Sequence, residues 1–382
     1  MKKIGLYLSV GPHSGGSFQY CLSVIKYLQS LDSKLYKIQA FISNDAWKNK
    51  LNKNFDVIRL NKKFFFEKYL NYLGFFLPNN VKKIFFNYFS YNIKILNNSE
   101  CEVIIFPSQE DISSKIRINS ITTVHDLMHR YETRFKEYGI ISRIKRDYFY
   151  KAICQNSSKI IVDSEIGKKH VLESYNISKD KIFVAPFEVP HYIRKSKIIN
   201  IFKKYKIPKK KFIFYPAQFW EHKNHKNLIK AFYLLQKKIK NINLILVGAE
   251  KNNLKNIINE ISDLKLSDKI FILGYVDEKD MYSFYKKASI TSFVSFCGPT
   301  NIPPLESMYT GCPLICSSVY AMKKQVKNGG LFINPNSHKD IYRKMLTILT
   351  NKKIRKKIVK NGLLIIKKNQ KKKFLNSLYK FL

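Results

Sequence analysis

The sequence has few acidic residues, no long apolar run and no paired cysteines. Its 382 residues include 27 Asp and Glu against 69 Lys and Arg, a formal net charge of +42. No apolar run reaches the roughly 18 residues of a membrane-spanning helix. Gly11-Pro12 also cuts short the apolar run near the N-terminus. We therefore expect neither a spanning helix nor a signal segment, and we assign that run to a first strand.

The cysteines lack the spacing of a redox or zinc motif. Neither a CxxC pair nor a His/Cys cluster is present. Several of the six lie in apolar strand-like or helical stretches, where a thiol behaves as a small buried hydrophobe. This usage fits a reducing compartment, so we predict a cytoplasmic protein. The six are Cys21, Cys101, Cys154, Cys297, Cys312 and Cys316.

The excess of positive charge has two explanations that composition leaves open. The chain is rich in Asn, Ile, Phe and Tyr, which AT-rich codons encode together with Lys, so the lysines can reflect genomic bias on solvated faces. Alternatively, they serve an anionic partner, either nucleic acid or an acidic membrane surface. No recognised nucleic-acid-binding motif accompanies the charge, so we expect no nucleic-acid partner.

Residues 62–96 interleave lysines with aromatic side chains. Aromatic rings suit the headgroup level of a bilayer and lysines attract anionic lipid, so this segment is a candidate membrane-contacting surface. The same pattern fits rings that pack against a sheet while the lysines face water. Stacking on single-stranded nucleic acid would use the same residue types. Peripheral attachment to the inner face of the membrane is therefore a hypothesis.

Strand and helix patterns alternate through both halves of the chain. This alternation predicts an α/β protein with two doubly wound parallel sheets, and the length suffices for two cores. An amphipathic helix region is expected over 131–153. Apolar runs predict strands at 4–10, 36–43, 56–60, 102–106, 121–124, 159–163, 182–185, 212–217, 243–247, 270–273, 290–296 and 313–316.

The same patterns suggest where the domains end. We predict an N-terminal domain over 1–190, a lysine-rich hinge over 191–210 and a C-terminal domain over 211–365. A last helix over 366–382 could return to the first domain.

The most informative stretch is 297–315, CGPTNIPPLESMYTGCPLI. It follows a predicted buried strand, and its prolines favour a helix over 305–310 that Gly311 ends. Glu306 is then expected in the first helical turn, beside backbone N–H groups that can bind an anion. Its carboxylate can accept hydrogen bonds from a neutral diol. The stretch therefore predicts a ligand cradle at the carboxyl end of a strand.

Other candidates lie where predicted strands end. Gly15 and Gly16 belong to a glycine-rich loop between the first strand and a helix, a unit that brings N–H groups to a phosphate or sugar. His125-Asp126 follows the strand at 121–124. Ser164 follows the strand at 159–163 and could simply be the N-cap of the next helix. Lys223 precedes a helix, where it can neutralise a diphosphate.

GPTNIPPLE followed by GCPLI resembles the nucleotide-sugar loop of retaining GT-B glycosyltransferases of family 4, in a subset that carries GPTN. The family pattern is Glu, seven residues, then a second Glu that holds the ribose of the donor. Glu306 matches the second Glu, and Gly298 stands at the first. The family also has an Arg and a Lys five apart. This chain keeps Lys223 but has Gln218 in place of the Arg, which weakens the phosphate clamp or moves it to another cation such as Lys226 or His225.

The resemblance implies roles for individual residues. His125 would lie beside the transferred sugar and, with Lys223 and Glu306, form the catalytic set. Asp126 and Ser164 would lie on the acceptor side. Tyr275 and Val276 would contact the nucleobase, mainly through backbone atoms. The donor-binding residues implied are Gly15, Gly16, Gln218, Lys223, Tyr275, Val276, Gly298, Pro299, Thr300, Asn301, Ile302 and Glu306.

The resemblance also implies the fold and the reaction. It implies a GT-B fold, with two Rossmann-like domains facing each other across a cleft. The enzyme would move a sugar, with retention of configuration, from a nucleotide-diphosphate sugar to a saccharide or lipid-linked acceptor in cell-surface polysaccharide or lipopolysaccharide synthesis. No DxD stands at a strand end, so we expect no metal or other cofactor.

Two alternatives remain at this stage. One is a catalytically degenerate GT-B-like protein, or a basic α/β protein that binds nucleic acid or an acidic membrane. Gly298 and Gln218 would favour it. The other is a GT-B relative such as an inverting transferase or an epimerase.

Overall fold

The computed structural model describes residues 1–60, 69–70, 77–195 and 197–369. They form two compact units. The first contains Met1–Arg130 and Ile141–Ala185, and the second contains Tyr131–Ile140 and the chain from Pro186 onward. Segment 131–140 is therefore flanked in sequence by the first unit but packs with the second.

The first unit is built on a parallel sheet of seven strands in the order β3-β2-β1-β4-β5-β6-β7. The strands are β1 Lys2–Leu8, β2 Tyr36–Ile42, β3 Phe55–Arg59, β4 Val103–Phe106, β5 Asn119–Thr123, β6 Lys159–Val162 and β7 Ile182–Val184. The helices described along this part of the chain are α1 Gly16–Gln29, α2 Asn79–Phe89, α3 Tyr91–Asn97, α4 Met128–Tyr131, α5 Ile140–Asn156 and α6 Glu165–Ser174.

The second unit is built on a parallel sheet of six strands in the order β10-β9-β8-β11-β12-β13. The strands are β8 Lys211–Pro216, β9 Ile242–Val247, β10 Ile270–Ile272, β11 Ile290–Phe293, β12 Leu314–Ser317 and β13 Leu331–Ile333. The helices are α7 His191–Lys195, α8 Ile201–Lys204, α9 His225–Gln236, α10 Leu254–Asp263, α11 Glu278–Lys287, α12 Ile302–Thr310, α13 Met322–Val326, α14 His338–Thr350 and α15 Lys352–Asn369.

These strands are short apolar runs because helices cover both faces of a parallel sheet. All six residues of β9 are buried, as are all four of β11 and of β12. Aromatic rings fill the space between the second sheet and α11, where the Phe214 and Phe284 rings stack with centroids 5.3 Å apart. The predicted α/β class with two doubly wound parallel sheets is confirmed.

The strand order of each sheet reverses once. The chain moves outward from β1 to β3 and then from β4 to β7, and in the second sheet from β8 to β10 and then from β11 to β13. Ligands of open α/β sheets bind outside the carboxyl ends of strands at such a reversal. The loops after β1, β8 and β11 lie there, and they carry Gly15, Lys223 and Gly298.

Gly248 fixes the spacing between the ends of β8 and β9. A Cβ atom added there would lie 2.3 Å from the carbonyl oxygen of Ala217 and 2.7 Å from the backbone nitrogen of Gln218. Its own N–H donates to the carbonyl of Gly274 at 2.8 Å. Because only glycine permits this approach, Gly248 sets the position of the loop that carries Gln218.

The helix predicted over 131–153 is wrong for its first part. Helix α4 ends at Tyr131, and α5 begins only at Ile140. Between them lies a short 3-10 turn, Lys136–Tyr138. The side chains of Phe135 and Tyr138 are buried in this stretch, and tertiary packing of these rings outweighs the amphipathic helix pattern.

Three further expectations concern the ends and connections of the units. Ile193 and Ile201, within the predicted hinge, belong to the core of the second unit. Helix α15 runs to Asn369, and its Ile366 packs in that same core. Residues 370–382 lie outside the described residues, as do 62–68 and 71–76 of the aromatic-basic segment. The predicted return of the last helix therefore stays a prediction.

All six cysteines are buried and none forms a disulfide, as their apolar settings indicated. Across the described ranges, no helix is both long enough and apolar enough to cross a membrane.

Candidate functional site

The loop after β11 has a backbone that requires glycine at its centre. Gly298 has φ +102°, a conformation that L side chains rarely adopt, and a Cβ there would lie 2.7 Å from Nδ2 of Asn301. The Asn301 side chain therefore fills the space into which a side chain at 298 would project. Glycine in place of the family's first Glu is thus a requirement of this loop conformation.

Asn301 is held by the side chain of Gln325. The Asn301 N–H donates to Gln325 Oε1 at 3.1 Å, and Gln325 Nε2 donates to the Asn301 carbonyl at 2.9 Å. Helix α12 starts directly afterwards, at Ile302. It begins three residues earlier than predicted because prolines fit the first turn, where their missing N–H is not needed. Glu306 is consequently not in the first turn, and that expectation was wrong.

The supply of N–H groups for an anion is smaller than the sequence suggested. Pro299 and Pro303 have no N–H, and that of Asn301 is used by Gln325. The N–H groups of Gly298 and Ile302 have no partner among the described residues. These two groups, together with the start of α12, are donors that the loop can offer to an anion.

Glu306 is a buried carboxylate capped by two phenols. Glu306 is only 2% exposed. Its carboxylate accepts one hydrogen bond on each oxygen, from the hydroxyls of Tyr192 and Tyr285. Burial raises the pKa of Glu306 to about 7, although the two hydrogen bonds oppose the rise. The group is therefore poised between its charged and neutral forms near neutral pH.

The loop after β8 is anchored by Asn224. This residue adopts the left-handed conformation (φ 63°, ψ 32°) at the start of α9, which Asn tolerates better than most residues. Its Nδ2 donates to the carbonyls of Val294 and Pro335 at 2.9 and 2.8 Å. Asn224 thereby ties the Lys223 loop to the end of β11.

Lys223 ends a 3-10 turn directly before α9, as the sequence predicted for a residue at the mouth of a βα loop. Its backbone carbonyl accepts a hydrogen bond from Tyr215 at 2.5 Å. Next to it, burial lowers the pKa of His225 to about 3, helped by the Lys223 charge. His225 is therefore neutral at pH 7, which excludes it as the second cation of a phosphate clamp.

The remaining donor-side candidates differ in what they offer. Gln218 follows β8, and its Oε1 accepts a hydrogen bond from the Trp220 indole at 3.1 Å. The Val276 side chain lies in the core, so this residue can meet a ligand only through its backbone. Tyr275 is exposed and follows Gly274, whose φ is +65°.

In the first unit, the candidate residues lie in the loops that follow strands β1, β5 and β6. Gly15 (φ 61°, ψ −120°) caps α1, which begins at Gly16. From α1, the Tyr20 ring meets the His125 ring edge-on at 5.0 Å between centroids. Burial lowers the pKa of His125 to about 4, against the opposing effects of Asp126 and the Pro107 backbone. His125 is therefore a neutral imidazole at pH 7.

Asp126 and Ser164 both begin helices. Asp126 Oδ1 accepts the backbone N–H of Met128 at 2.9 Å, at the start of α4. Ser164 is the N-cap of α6, since its Oγ accepts the N–H of Gly167 at 3.0 Å. The capping role considered for Ser164 is confirmed, and the acceptor-side roles of both residues stay predictions.

The structure thus groups the candidates within each unit. At the carboxyl edge of the first sheet lie Gly15, Gly16, His125, Asp126 and Ser164. The donor-side candidates, among them Gln218, Lys223, Gly298 and Glu306, lie at the carboxyl edge of the second sheet. Tyr192, Tyr285 and Gln325 could not be found from the sequence, because no motif marks a side chain that binds a carboxylate or a loop backbone from a distant segment. Asn224 carried a signal, since an Asn directly before a helix suits the left-handed conformation. Among the described residues no group of three or more His, Cys, Asp or Glu is placed to hold a metal ion.

Comparison with known proteins places these features in a family context. Residues 197–364 match the family model described as Glycosyl transferases group 1. The O-antigen chain mannosyltransferase RfbU of Salmonella typhimurium is 26% identical over 223 residues, and O-antigen chain mannosyltransferase B of Escherichia coli is 23% identical over 224. The matched stretches cover 58% and 57% of this chain, and this chain spans 58% of each relative's length.

Solved structures match over nearly the whole chain. Sucrose-phosphate synthase from Thermosynechococcus elongatus has a TM-score of 0.76 at 16% identity, covering 100% of this chain and 99% of its own. HepE of Anabaena with UDP-glucose has 0.73 at 13%, covering 100% of both chains. WaaG, a glycosyltransferase involved in lipopolysaccharide biosynthesis, has 0.71 at 14%, covering 99% and 98%. The chain therefore has the two-domain α/β fold of the GT-B class, and its second unit is similar to the group 1 glycosyl transferases.

Proposed function

We propose that this chain is a glycosyltransferase that moves a hexose from a nucleotide-diphosphate sugar to a saccharide or lipid-linked acceptor, with retention of configuration, in the synthesis of a cell-surface polysaccharide. The group 1 match supports transfer of a sugar. The names of the two O-antigen mannosyltransferases support the acceptor class. The HepE complex with UDP-glucose supports the donor class.

The observation that carries the proposal is the capped carboxylate of Glu306. Two hydroxyl groups, those of Tyr192 and Tyr285, donate to its two oxygens. A ribose 2′,3′-diol offers the same pair of donors. Tyr285 is fully buried on α11, whereas Tyr192 is partly exposed on α7. We infer that the donor ribose replaces the Tyr192 hydroxyl and keeps the Tyr285 hydroxyl as a neighbour.

The proposed reaction breaks the bond between the anomeric carbon and the diphosphate oxygen and forms one to the acceptor oxygen. The acceptor hydroxyl proton passes to the leaving phosphate, and attack from the same face retains configuration. Negative charge grows on the diphosphate, so fixed positive potential there lowers the barrier most. Lys223, the N–H groups of Gly298 and Ile302 and the start of α12 are the groups suited to this task. His125, neutral at pH 7, would serve the sugar as a hydrogen-bonding group.

A membrane surface is proposed as a further partner, on the evidence of exposed apolar side chains in the first unit. On α2, Ile84 and Tyr88 are 61% and 81% exposed, and on α5, Ile144 is 62% exposed. The two helices are neighbours, since Lys82 Nζ lies 4.9 Å from the centre of the Tyr148 ring. Apolar and aromatic side chains among lysines suit anionic lipid. The described part of segment 62–96 thus supports the membrane hypothesis.

Sugar transfer is the direct test of the proposed function. We expect the purified chain to release hexose from one donor in a panel of UDP-, GDP- and ADP-hexoses. NMR of the released hexose as first formed should show the anomeric configuration of the donor. Glu306→Gln should lower kcat/KM roughly 10- to 100-fold, because a hydrogen-bonded charge is lost. An inverted product would contradict retention. Salt-sensitive nucleic-acid binding that ignores Glu306, without transfer, would favour the non-enzymatic alternative.

The two tyrosines should respond oppositely to the same substitution. Tyr192→Phe removes the hydroxyl that the ribose must displace, so the Kd for the nucleoside diphosphate should fall roughly fivefold at about pH 8. Tyr285→Phe is the matched control. It removes a hydrogen bond that lowers the pKa of Glu306, so more of the free carboxyl is protonated at this pH and the Kd should rise. Isothermal titration measures both, and an equal loss of affinity in the two variants would contradict the displacement of Tyr192.

The stability of the ligand-free chain should depend on the ionisation of Glu306. Folding raises the pKa of this carboxyl from 4.5 to about 7, so it favours the protonated form. Its contribution to the free energy of unfolding is present in full below pH 4.5 and is lost as the pH rises through 7, roughly 3 kcal/mol in all. Urea unfolding from about pH 4 to pH 8 should therefore show a smaller loss of stability in Glu306→Gln than in the wild type. Parallel pH profiles would show that Glu306 is not the titrating group.

Vesicle flotation tests the membrane surface. The chain should float with vesicles of anionic lipid at about 0.1 M salt, and Tyr88→Ser with Ile144→Ser should reduce the bound fraction severalfold. Ile258→Ser is the matched control, because Ile258 is an exposed apolar residue on α10 of the second unit. Absence of flotation, or equal losses in the control, would overturn the membrane proposal.

A further inference from the structure

The segment 131–140, here named the strap, packs on the loops of the second unit. The Glu137 carboxylate accepts from the ring of His222 and from its backbone N–H, the latter at 3.1 Å. Asn252 Nδ2 donates to the other oxygen at 3.1 Å. Burial alone would raise the pKa of Glu137, but these hydrogen bonds hold it at about 2. The strap is therefore fixed by a charged carboxylate within the second unit.

The residue that Glu137 holds is itself bonded to the candidate phosphate loop. The backbone carbonyl of His222 accepts the N–H of Phe296 at 2.9 Å, two residues before Gly298. The Phe135 ring of the strap lies 5.5 Å from the Phe296 ring. The strap thus contacts the first part of the loop that leads to α12.

The second unit lacks one expected cation at this loop. Gln218 stands where the resemblance places an arginine. His225 is buried and neutral. Lys226 is exposed and turned towards α10, with its Nζ 4.0 Å from Glu260. Neither of the two substitutes suggested by the sequence is therefore a suitable second cation for a diphosphate.

The strap brings an arginine to this place. The Arg134 guanidinium carbon lies 4.5 Å from the centre of the Phe296 ring and 4.9 Å from that of the Phe135 ring. Its Nε donates to Glu132 Oε2 at 3.1 Å. Within the described ranges its two terminal nitrogens make no hydrogen bond. A guanidinium held on its Nε side keeps these two N–H-bearing groups for a bidentate anion.

Glu132, which orients Arg134, is fixed to the other side of the same loop. Its Oε1 accepts the Tyr320 hydroxyl at 2.8 Å. The next residue, Ala321, donates its N–H to the carbonyl of Pro299 at 3.0 Å. Arg134 therefore stacks on Phe296, just before the loop. Its partner Glu132 is hydrogen-bonded to Tyr320, the neighbour of the residue that binds the Pro299 carbonyl.

We propose that Arg134 binds the diphosphate of the donor through its terminal nitrogens and supplies, from the strap, the cation that Gln218 does not provide. This inference rests on the proposed function, since it assigns a residue to the same donor site. Arg134 remains charged at every physiological pH. It complements the point charge of Lys223 and the N–H groups of Gly298 and Ile302 with a planar pair of donors.

The test compares nucleosides with their diphosphates. For the base that the wild type binds, Arg134→Gln should raise the Kd of the nucleoside diphosphate roughly tenfold or more and leave that of the nucleoside unchanged. Arg134→Lys should restore part of the loss, because it keeps charge but not the bidentate geometry. Lys136→Gln is the matched control, since Lys136 is an exposed strap cation whose side chain makes no hydrogen bond or ion pair with the described residues of the loop.

The outcomes separate this inference from the proposed function. Equal diphosphate affinity in wild type and Arg134→Gln would overturn the role of Arg134 and leave the transferase proposal standing. A loss as large in Lys136→Gln would mean general charge rather than a specific contact and would also overturn it. A wild type that binds no nucleoside diphosphate would overturn both. Circular dichroism on each variant confirms that the fold is intact.

Discussion

A single buried carboxylate, Glu306, joins three helices of the second unit through its hydrogen bonds to Tyr192 and Tyr285. A carboxyl removed from water must either take up a proton or receive strong hydrogen bonds. Here two tyrosine hydroxyls meet it, and its pKa still rises to about 7. The arrangement needs α7, α11 and α12 to converge, because each contributes one of the three side chains. A ligand that brings its own hydroxyl pair can take over part of this task, which links the stability of the free chain to donor binding.

Most of the sheet architecture could be predicted from the sequence, because strands buried on both faces are apolar runs bounded by turn residues. The elements that were missed are those in which the local pattern is weak or overruled. The strap has a helix-like pattern, yet its buried rings and Glu137 find partners far away in sequence. The start of α12 depends on whether Pro303 and Pro304 lie before the helix or inside its first turn, and the sequence alone does not distinguish the two.

The candidate site was predicted in outline but not in its supporting contacts. Motif residues such as Lys223, Gly298 and Glu306 could be found, because spacing and residue type mark them. The partners that set their chemistry, Tyr192 and Gln325 among them, come from distant segments without a motif. The two departures from the family pattern also acquire physical meaning. Gly298 is demanded by a positive φ and by a neighbouring side chain, and the charge missing at Gln218 has a candidate source in the strap.

The most direct test of the central claim is a crystal structure of the chain with the nucleoside diphosphate that it binds. The account predicts that both ribose hydroxyls donate to the Glu306 carboxylate within about 2.5–3.0 Å. It also predicts that the Tyr192 hydroxyl has left that carboxylate while Tyr285 remains. A nucleotide bound with its ribose elsewhere, and Glu306 still capped by both tyrosines, would contradict the account.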